Sequence, residues 1–191
     1  MLRFSAWVKF LALLAVVLSA AGYAIYHSDW FQRQYVYPLS HREQVFRYAK
    51  DNNLDPFLVA AVIRTESRFV VSARSPKGAV GLMQMMPETG RWVAGQIDYP
   101  DFSATMLTDP DINIRFGTWY LASLKREFQN NDILALAAYN GGRGNVRQWI
   151  NQFGWPVDFR DFSQIPFQET RDYVRKVLDA REHYRYLYGR L

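Results

Sequence analysis

The sequence contains no cysteine. Disulfides, thiol catalysis, cysteine-ligated zinc and lipidation of an N-terminal cysteine are therefore excluded. Histidine is scarce too. His27, His41 and His183 share no metal-ligand spacing, and none stands as the partner of a serine nucleophile. Internal repeats and low-complexity tracts are missing, and no segment alternates convincingly between apolar and polar residues. A dense Lys/Arg stripe is also lacking, which excludes the usual footprint of a nucleic-acid binder.

The charge that is present is mild. The net charge is +5, from 23 Lys and Arg against 18 Asp and Glu. Residues 1–39 hold Arg3, Lys9 and Arg33 with a single acid, Asp29, so the remainder carries 20 basic and 17 acidic residues. Such a balance tolerates an anionic polymer such as a cell wall but selects no partner. With 191 residues, 49% of them hydrophobic, the chain suits one ordinary domain preceded by an N-terminal segment, and disorder is excluded.

That N-terminal segment, residues 1–39, reads as a membrane anchor and its juxtamembrane extension. Phe10 to Ser28 are 19 residues without Lys, Arg, Asp or Glu. As a helix they rise about 28 Å, close to the hydrocarbon thickness of a bilayer. Arg3 and Lys9 precede the run, so the positive-inside bias retains the N-terminus in the cytoplasm and exports the rest of the chain. Trp30, Phe31, Tyr35 and Tyr37 come next, as an interfacial aromatic belt would. A cleaved secretory signal is the competing reading, with small residues at Ser19–Ala21 as the cleavage site. The apolar run continues past that site, which favours the uncleaved anchor. Either way, the domain works outside the cytoplasmic membrane.

From residue 40 onward the punctuation is helical, so the expected class is all-α with at most a token hairpin. Ser40 and Glu43 form a capping-box pattern ahead of Val45, Phe46 and Ala49. Asp55-Pro56 supplies an N-cap and N1 proline for a helix through about Glu66. Pro87 opens another to about Gln96, and Asp109-Pro110 a long one to about Phe128. Asn131 or Asp132 caps a short helix that Gly141-Gly142 ends, and another covers roughly residues 145–152. The last runs from about Phe167 to Tyr188 on the stripe Tyr173, Val174, Val177, Leu178, Tyr184 and Tyr188. Only Arg68–Ala73 and the stretch around residues 97–102 offer any brief strand pairing.

In the helix after Pro56, Val59, Val62, Ile63 and Glu66 share one face. A carboxylate in line with a buried stripe loses solvation, which raises its pKa and suits it to general-acid work. By itself this pattern favours the plainer reading, a helix-end glutamate satisfied by Arg64, Arg68 or solvent.

Further blocks change that balance. Glu66-Ser67 is followed by Ser75-Pro76-Lys77-Gly78-Ala79, then by Gly81-Leu82-Met83-Gln84-Met85-Met86-Pro87. Ala138-Tyr139-Asn140-Gly141-Gly142 comes later, and then Ile165 to Val174, containing Glu169-Thr170-Arg171-Asp172-Tyr173. In this order and spacing the set resembles the lytic transglycosylases of the soluble (family 1) type, with their lysozyme-like catalytic domain, over about residues 42–188.

The resemblance implies Glu66 as catalytic acid/base, with the Tyr173 hydroxyl close to its carboxyl. It also implies Ser75 lining the cleft, Gln84 offering an amide to sugar acetamido groups and Met86 forming an apolar wall. Tyr139 and Asn140 fall on the cleft's other side, and Gly81 allows close backbone approach to the ligand. Met83 and Met86 fit the core equally well, while Trp92, Trp119 and Trp149 read as core rather than sugar platforms. Ser67 and Glu169 read as local structure, Glu169 lying in a helix's first turn.

The implied partner is the peptidoglycan glycan strand. The implied reaction is cleavage between N-acetylmuramic acid and N-acetylglucosamine with formation of a 1,6-anhydro end, without metal or organic cofactor. Asp98, Asp101, Asp109 and Asp111 are explained by loops and capping, so the motifs supply one carboxyl where ordinary glycosidases use two. A hydrolytic muramidase and a non-catalytic wall-binding scaffold are the alternatives.

Overall fold

The structure is a computed structural model that describes residues 2–189. The chain divides into two compact units after Pro38.

In the first unit, α1 (Leu2–Tyr26) carries Arg3 and Lys9 near its start and no charged residue after them, and Ala6–Tyr26 has a mean hydropathy of 2.1 with nothing buried. Among the described residues it is the one helix long and apolar enough to cross a bilayer. The stretch begins earlier than the charge-free run, because one Lys9 does not outweigh its neighbours, and stops two residues short of Ser28. Ser28 explains the stop: its Oγ donates to the Ile25 carbonyl at 2.7 Å and accepts from Phe31 N at 3.3 Å, capping the short α2 (Asp29–Phe31). A π-helical turn, Gln32–Val36, comes next, with Tyr35 packed between Trp30 and Phe31 at ring distances of 6.0 and 4.9 Å.

The second unit is helical, with no strand among its described residues. It comprises α3 (Arg42–Asp51), α4 (Pro56–Ser67), α5 (Pro87–Gln96), α6 (Pro110–Glu127), α7 (Asp132–Gly141), α8 (Arg143–Phe153) and α9 (Gln168–Tyr188). The side-chain caps do what their chemistry implies. Asp55 accepts from Phe57 N, Asp109 from Asp111 N and Ile112 N, and Asn131 from Leu134 N. The expected box at Ser40 does not form. His41, in a left-handed conformation without a side-chain bond, is the residue before α3. Isolated bridges join Arg74 to Val80 and Val80 to Met85, so the token pairing lies downstream of Arg68–Ala73 and nowhere near 97–102.

α4 is the centre of this unit. Leu58, Val59, Ala60, Ala61, Val62 and Ile63 are all essentially without exposed surface, so the helix is covered on every side rather than along one stripe. Its most extensive partner is α9, which contributes Tyr173, Val174, Val177, Ala180, Tyr184 and Leu187.

The loop from α4 to α5 is held from α6. Asn113, buried, accepts from Met83 N at 2.8 Å and donates to the carbonyls of Val80 and Leu107 at 2.9 and 2.8 Å. Met83 is seated against Gly117, where a Cβ would collide with its side chain. Asn113→Ala leaves Met83 N and the Leu107 carbonyl without partners, at about 1–3 kcal/mol each, while the Val80 carbonyl keeps its bond from Met85 N. The substitution is expected to lower stability by at least about 2 kcal/mol in urea unfolding; a loss under about 1 kcal/mol would show that the loop does not depend on this residue.

Candidate active site

Glu66 occupies the last turn of α4, one turn beyond Val62 and Ile63. The helix stops because Arg68 and Phe69 both take left-handed backbone, at φ 51° and 63°, and turn the chain away. Ser67 Oγ fastens this corner to the following loop by donating to the Leu82 carbonyl at 2.8 Å. The Glu66 carboxyl is thereby left half-buried at the end of a desolvated helix.

Burial pushes the Glu66 carboxyl up to about 7. The Tyr173 hydroxyl opposes that rise, and repulsion from Glu169 adds to it. Tyr173 reaches the carboxyl from α9, and its buried hydroxyl faces Glu66 without completing a hydrogen bond of full geometry. Tyr139 approaches from α7; its hydroxyl donates to the Met83 carbonyl at 2.8 Å. Burial first, and then the neighbouring Glu66 carboxylate, raise both phenols well above their usual value, so they remain donors at any physiological pH.

The other expected residues divide by position. Gln84, left-handed at φ 46°, uses both hydrogens of its amide nitrogen on the Ala73 and Gly81 carbonyls, at 3.1 and 2.9 Å. Only its carbonyl oxygen remains to face a ligand. Ser75 closes its own turn, its Oγ accepting from Ala79 N at 3.0 Å. Asn140 accepts from the Thr170 hydroxyl at 2.8 Å, tying the end of α7 to the start of α9. Gly81 is buried at φ 80°, and the space its missing side chain leaves is taken by Asn113 and the Leu107 carbonyl. The close approach expected there is internal to the domain. Met83 is buried core, whereas Met86 is 38% exposed.

Several participants escape sequence reasoning. Glu169, read as a helix-start residue, also acts electrostatically on Glu66. Trp149 is buried as expected, but Trp92 is 39% exposed. Trp92 lines a cavity of about 250 Å³ with Glu88, Thr89, Tyr120 and Arg143. An aromatic row connects it inward, since Trp92 meets Tyr120 at 6.1 Å and Tyr120 meets Tyr139 at 5.5 Å. A larger cavity, about 490 Å³, lies around Asn131, Phe159 and Arg181 and contains none of Glu66, Tyr139 or Tyr173. No cluster of His, Cys, Asp or Glu among the described residues is suited to hold a metal ion. The arrangement offers one titrating carboxyl between two phenols, able to give and take a proton near neutrality.

Residues 43–161 match the transglycosylase SLT domain and residues 164–191 the soluble lytic transglycosylase helical domain. The chain is 37% identical over 162 residues to the soluble lytic murein transglycosylase of Escherichia coli, covering 84% of this chain and 25% of that protein. It is 31% identical over 181 residues to the membrane-bound lytic murein transglycosylase C of Actinobacillus pleuropneumoniae serotype 5b, covering 83% and 47%. Among solved structures, the 70 kDa soluble lytic transglycosylase of Escherichia coli superposes with a TM-score of 0.75 at 36% identity, over 80% of this chain and 25% of that one. An inactive glutamate-to-glutamine mutant of the lytic transglycosylase Slt from Pseudomonas aeruginosa gives 0.73 at 38% identity, over 82% and 26%. The chain thus spans about a quarter of the length of the soluble relatives it matches. With the transglycosylase SLT domain covering most of the second unit, the chain belongs to that family.

Proposed function

We propose that this protein is a membrane-anchored lytic transglycosylase that cleaves the β-1,4 bond between N-acetylmuramic acid and N-acetylglucosamine in peptidoglycan. The observation that carries the reading is Glu66, a carboxyl raised to about 7 between Tyr139 and Tyr173 in a chain of this family. Both relatives named above are called murein transglycosylases, and the solved Pseudomonas mutant described as inactive differs by a glutamate-to-glutamine change.

In the proposed cycle Glu66 begins protonated and gives its proton to the glycosidic oxygen as the bond to the muramoyl C1 breaks. The 2-acetamido group of the same sugar assists, forming an oxazolinium-like intermediate. Glu66, now a carboxylate, takes the proton of that sugar's C6 hydroxyl as its oxygen bonds to C1 and closes the 1,6-anhydro ring. The nucleophile is tethered to the electrophile, so proximity stands in for a water-activating second acid. Tyr173 orients the carboxyl. Ser75, Gln84, Met86, Tyr139 and Asn140 line the strand's path. For Gln84 the free carbonyl oxygen is the group that accepts from a sugar N–H or O–H.

The anchor belongs to the same proposal. Ala6–Tyr26 spans a bilayer by length and composition, Arg3 sets the N-terminus inside, and Trp30 and Tyr35 sit at the outer interface. That a relative is itself called membrane-bound agrees with this reading. The protein is then expected to stay in the membrane fraction after carbonate washing and to be released when residues 1–28 are deleted. Recovery of the full-length chain in the wash would overturn the anchor.

Muropeptides from digested sacculi are expected to end in anhydro-muramoyl groups, lighter by one water than hydrolytic ends. Exclusively reducing ends would favour the muramidase, in which Glu169 would be the candidate second carboxyl. Glu66→Gln is expected to abolish turbidity loss; equal activity would leave only a scaffold.

Acidity gives a further test. The acid step needs protonated Glu66, so kcat/KM is expected to fall as pH rises through about 7. In Tyr173→Phe, which removes a group that favours the carboxylate, that limb is expected to move to higher pH.

Stability should follow the same group with a definite sign. Between about 4.5 and 7 the folded chain holds a proton on Glu66 that the unfolded chain has lost. This contribution is complete at low pH and lost as pH rises through 7. Glu66→Gln should therefore gain on wild type with rising pH, by up to about 3 kcal/mol at about pH 8, in paired denaturation curves. A difference independent of pH would contradict a raised carboxyl.

A further inference from the structure

We infer that Thr170 is a positioning residue whose hydroxyl fixes the Asn140 side-chain amide, so that its NH2 group and not its oxygen is offered to a sugar oxygen of the substrate. The inference rests on the glycan-cleaving reading above, which supplies the sugar.

Thr170 differs from the other buried polar residues. Among the described residues these are Ser67, Asn113 and Thr118, and each donates to backbone carbonyls. Thr170, 2% exposed, donates instead to another side chain, Asn140 Oδ1 at 2.8 Å.

The local sequence explains why. A threonine inside a helix ordinarily turns its hydroxyl back to the carbonyl three or four residues earlier. Thr170 is the third residue of α9, so those carbonyls belong to Phe167 and Pro166, ahead of the helix. Arg171 engages both. Its backbone N–H donates to the Phe167 carbonyl at 3.0 Å, and its Nη1 donates to the Pro166 carbonyl at 3.0 Å. The Thr170 hydroxyl is left to reach across to α7.

α7 is shaped to receive it. Gly141, the last residue of α7, adjoins Thr170 so closely that a Cβ there would stand 2.9 Å from the Thr170 Oγ1. Asn145 holds this end of the helix by donating to the Gly141 carbonyl at 2.7 Å.

The direction of the Thr170–Asn140 bond decides which half of the amide is free. A hydroxyl can accept as well as donate, and a side-chain amide can face either way. If Thr170 accepted from Asn140 Nδ2, its own proton would be buried without a partner, because the neighbouring carbonyls are engaged by Arg171. Donation to Oδ1 satisfies the proton and sets the amide. The Nδ2 group of half-buried Asn140 then makes no hydrogen bond among the described residues.

This free donor belongs to the site around Glu66. Asn140 follows Tyr139, whose phenol responds to Glu66 and bonds to the Met83 carbonyl. Gln84, next to Met83, has spent its amide nitrogen and retains its oxygen. Internal bonds thus fix the two amides in opposite senses, one as an acceptor and one as a donor.

The test uses the full chain in detergent and soluble glycan strands of defined length. Thr170→Val keeps the shape and loses the hydroxyl, and it should raise KM about tenfold while changing kcat by less than about twofold. Thr170→Ser, which keeps the hydroxyl, should restore most of the loss. The limb of the pH profile near 7 should stay in place in both, since Glu66 and Tyr173 are untouched. In an Asn140→Ala background, adding Thr170→Val should cost less than about twofold, because the residue acts through the amide. An unchanged KM, a displaced pH limb, no recovery in Thr170→Ser, or a full loss in the Asn140→Ala background would each overturn the proposal.

Should wild type release no product from the strands, the lyase reading fails on its own. The role of Thr170 is then judged by titrating chitotetraose into Glu66→Gln protein. Binding that Thr170→Val weakens about tenfold and Thr170→Ser restores supports it, whereas equal binding or none overturns it.

Discussion

The arrangement of the second unit depends on ending a fully buried helix in a carboxyl group. From Leu58 to Ile63, α4 has no face in contact with water, so its direction is fixed by packing on all sides. Glu66 continues this line and cannot move away from it without exposing apolar surface. Its raised pKa follows from that geometry and needs no special ligand. α9, the main partner of α4, brings Tyr173 and Glu169 to the same spot, one opposing and one reinforcing the effect of burial. The same helix pair that contributes most to the core therefore also sets the acidity.

Stiffness in the adjoining loop comes from the backbone conformations required to leave α4 so abruptly. Arg68, Phe69 and Gln84 are left-handed residues with side chains, each costing about 1–3 kcal/mol where nothing compensates. The compensation is specific. Ser67 binds the Leu82 carbonyl, Gln84 binds Ala73 and Gly81, and Asn113 satisfies three further backbone groups. Nearly all the polar capacity of Gln84 that is available to its own loop is consumed there. Its side chain is rigid for the same reason that less of it remains for a ligand.

The features legible in the sequence are those that depend on neighbours along the chain. Asp55-Pro56, Asp109-Pro110 and Asn131 mark helix starts because each cap bonds to an amide two or three residues away. The position of Glu66 on an apolar face is legible through helical spacing. Its chemical meaning comes only from motif blocks distant in the chain, since spacing alone does not distinguish it from a solvated helix end. Ser40 misleads because a capping box requires a backbone geometry that the left-handed His41 does not provide. Asn113, Tyr120, Trp92 and Arg143 carry no local signal. Asn113 acts on residues about 30 positions away, and the cavity joins α5, α6 and the start of α8. Tertiary packing alone assembles these groups, and an exposed tryptophan resembles a buried one in sequence.

A carboxyl near 7 also bears on why one such group can suffice. A dedicated acid works best with a pKa above the ambient pH, and a dedicated base with one below it. A residue that must serve in both roles within one turnover gains nothing from either extreme. At a pKa near neutrality, neither protonation state is far from the other in free energy, because each unit of mismatch costs about 1.4 kcal/mol. Desolvation alone would carry Glu66 higher and leave it a poor proton acceptor only in the sense of being rarely ionised. The Tyr173 hydroxyl draws it back by favouring the carboxylate. The value near 7 is thus a balance between a buried helix end and a phenol from α9, and it is this balance that the proposed acid-then-base cycle requires.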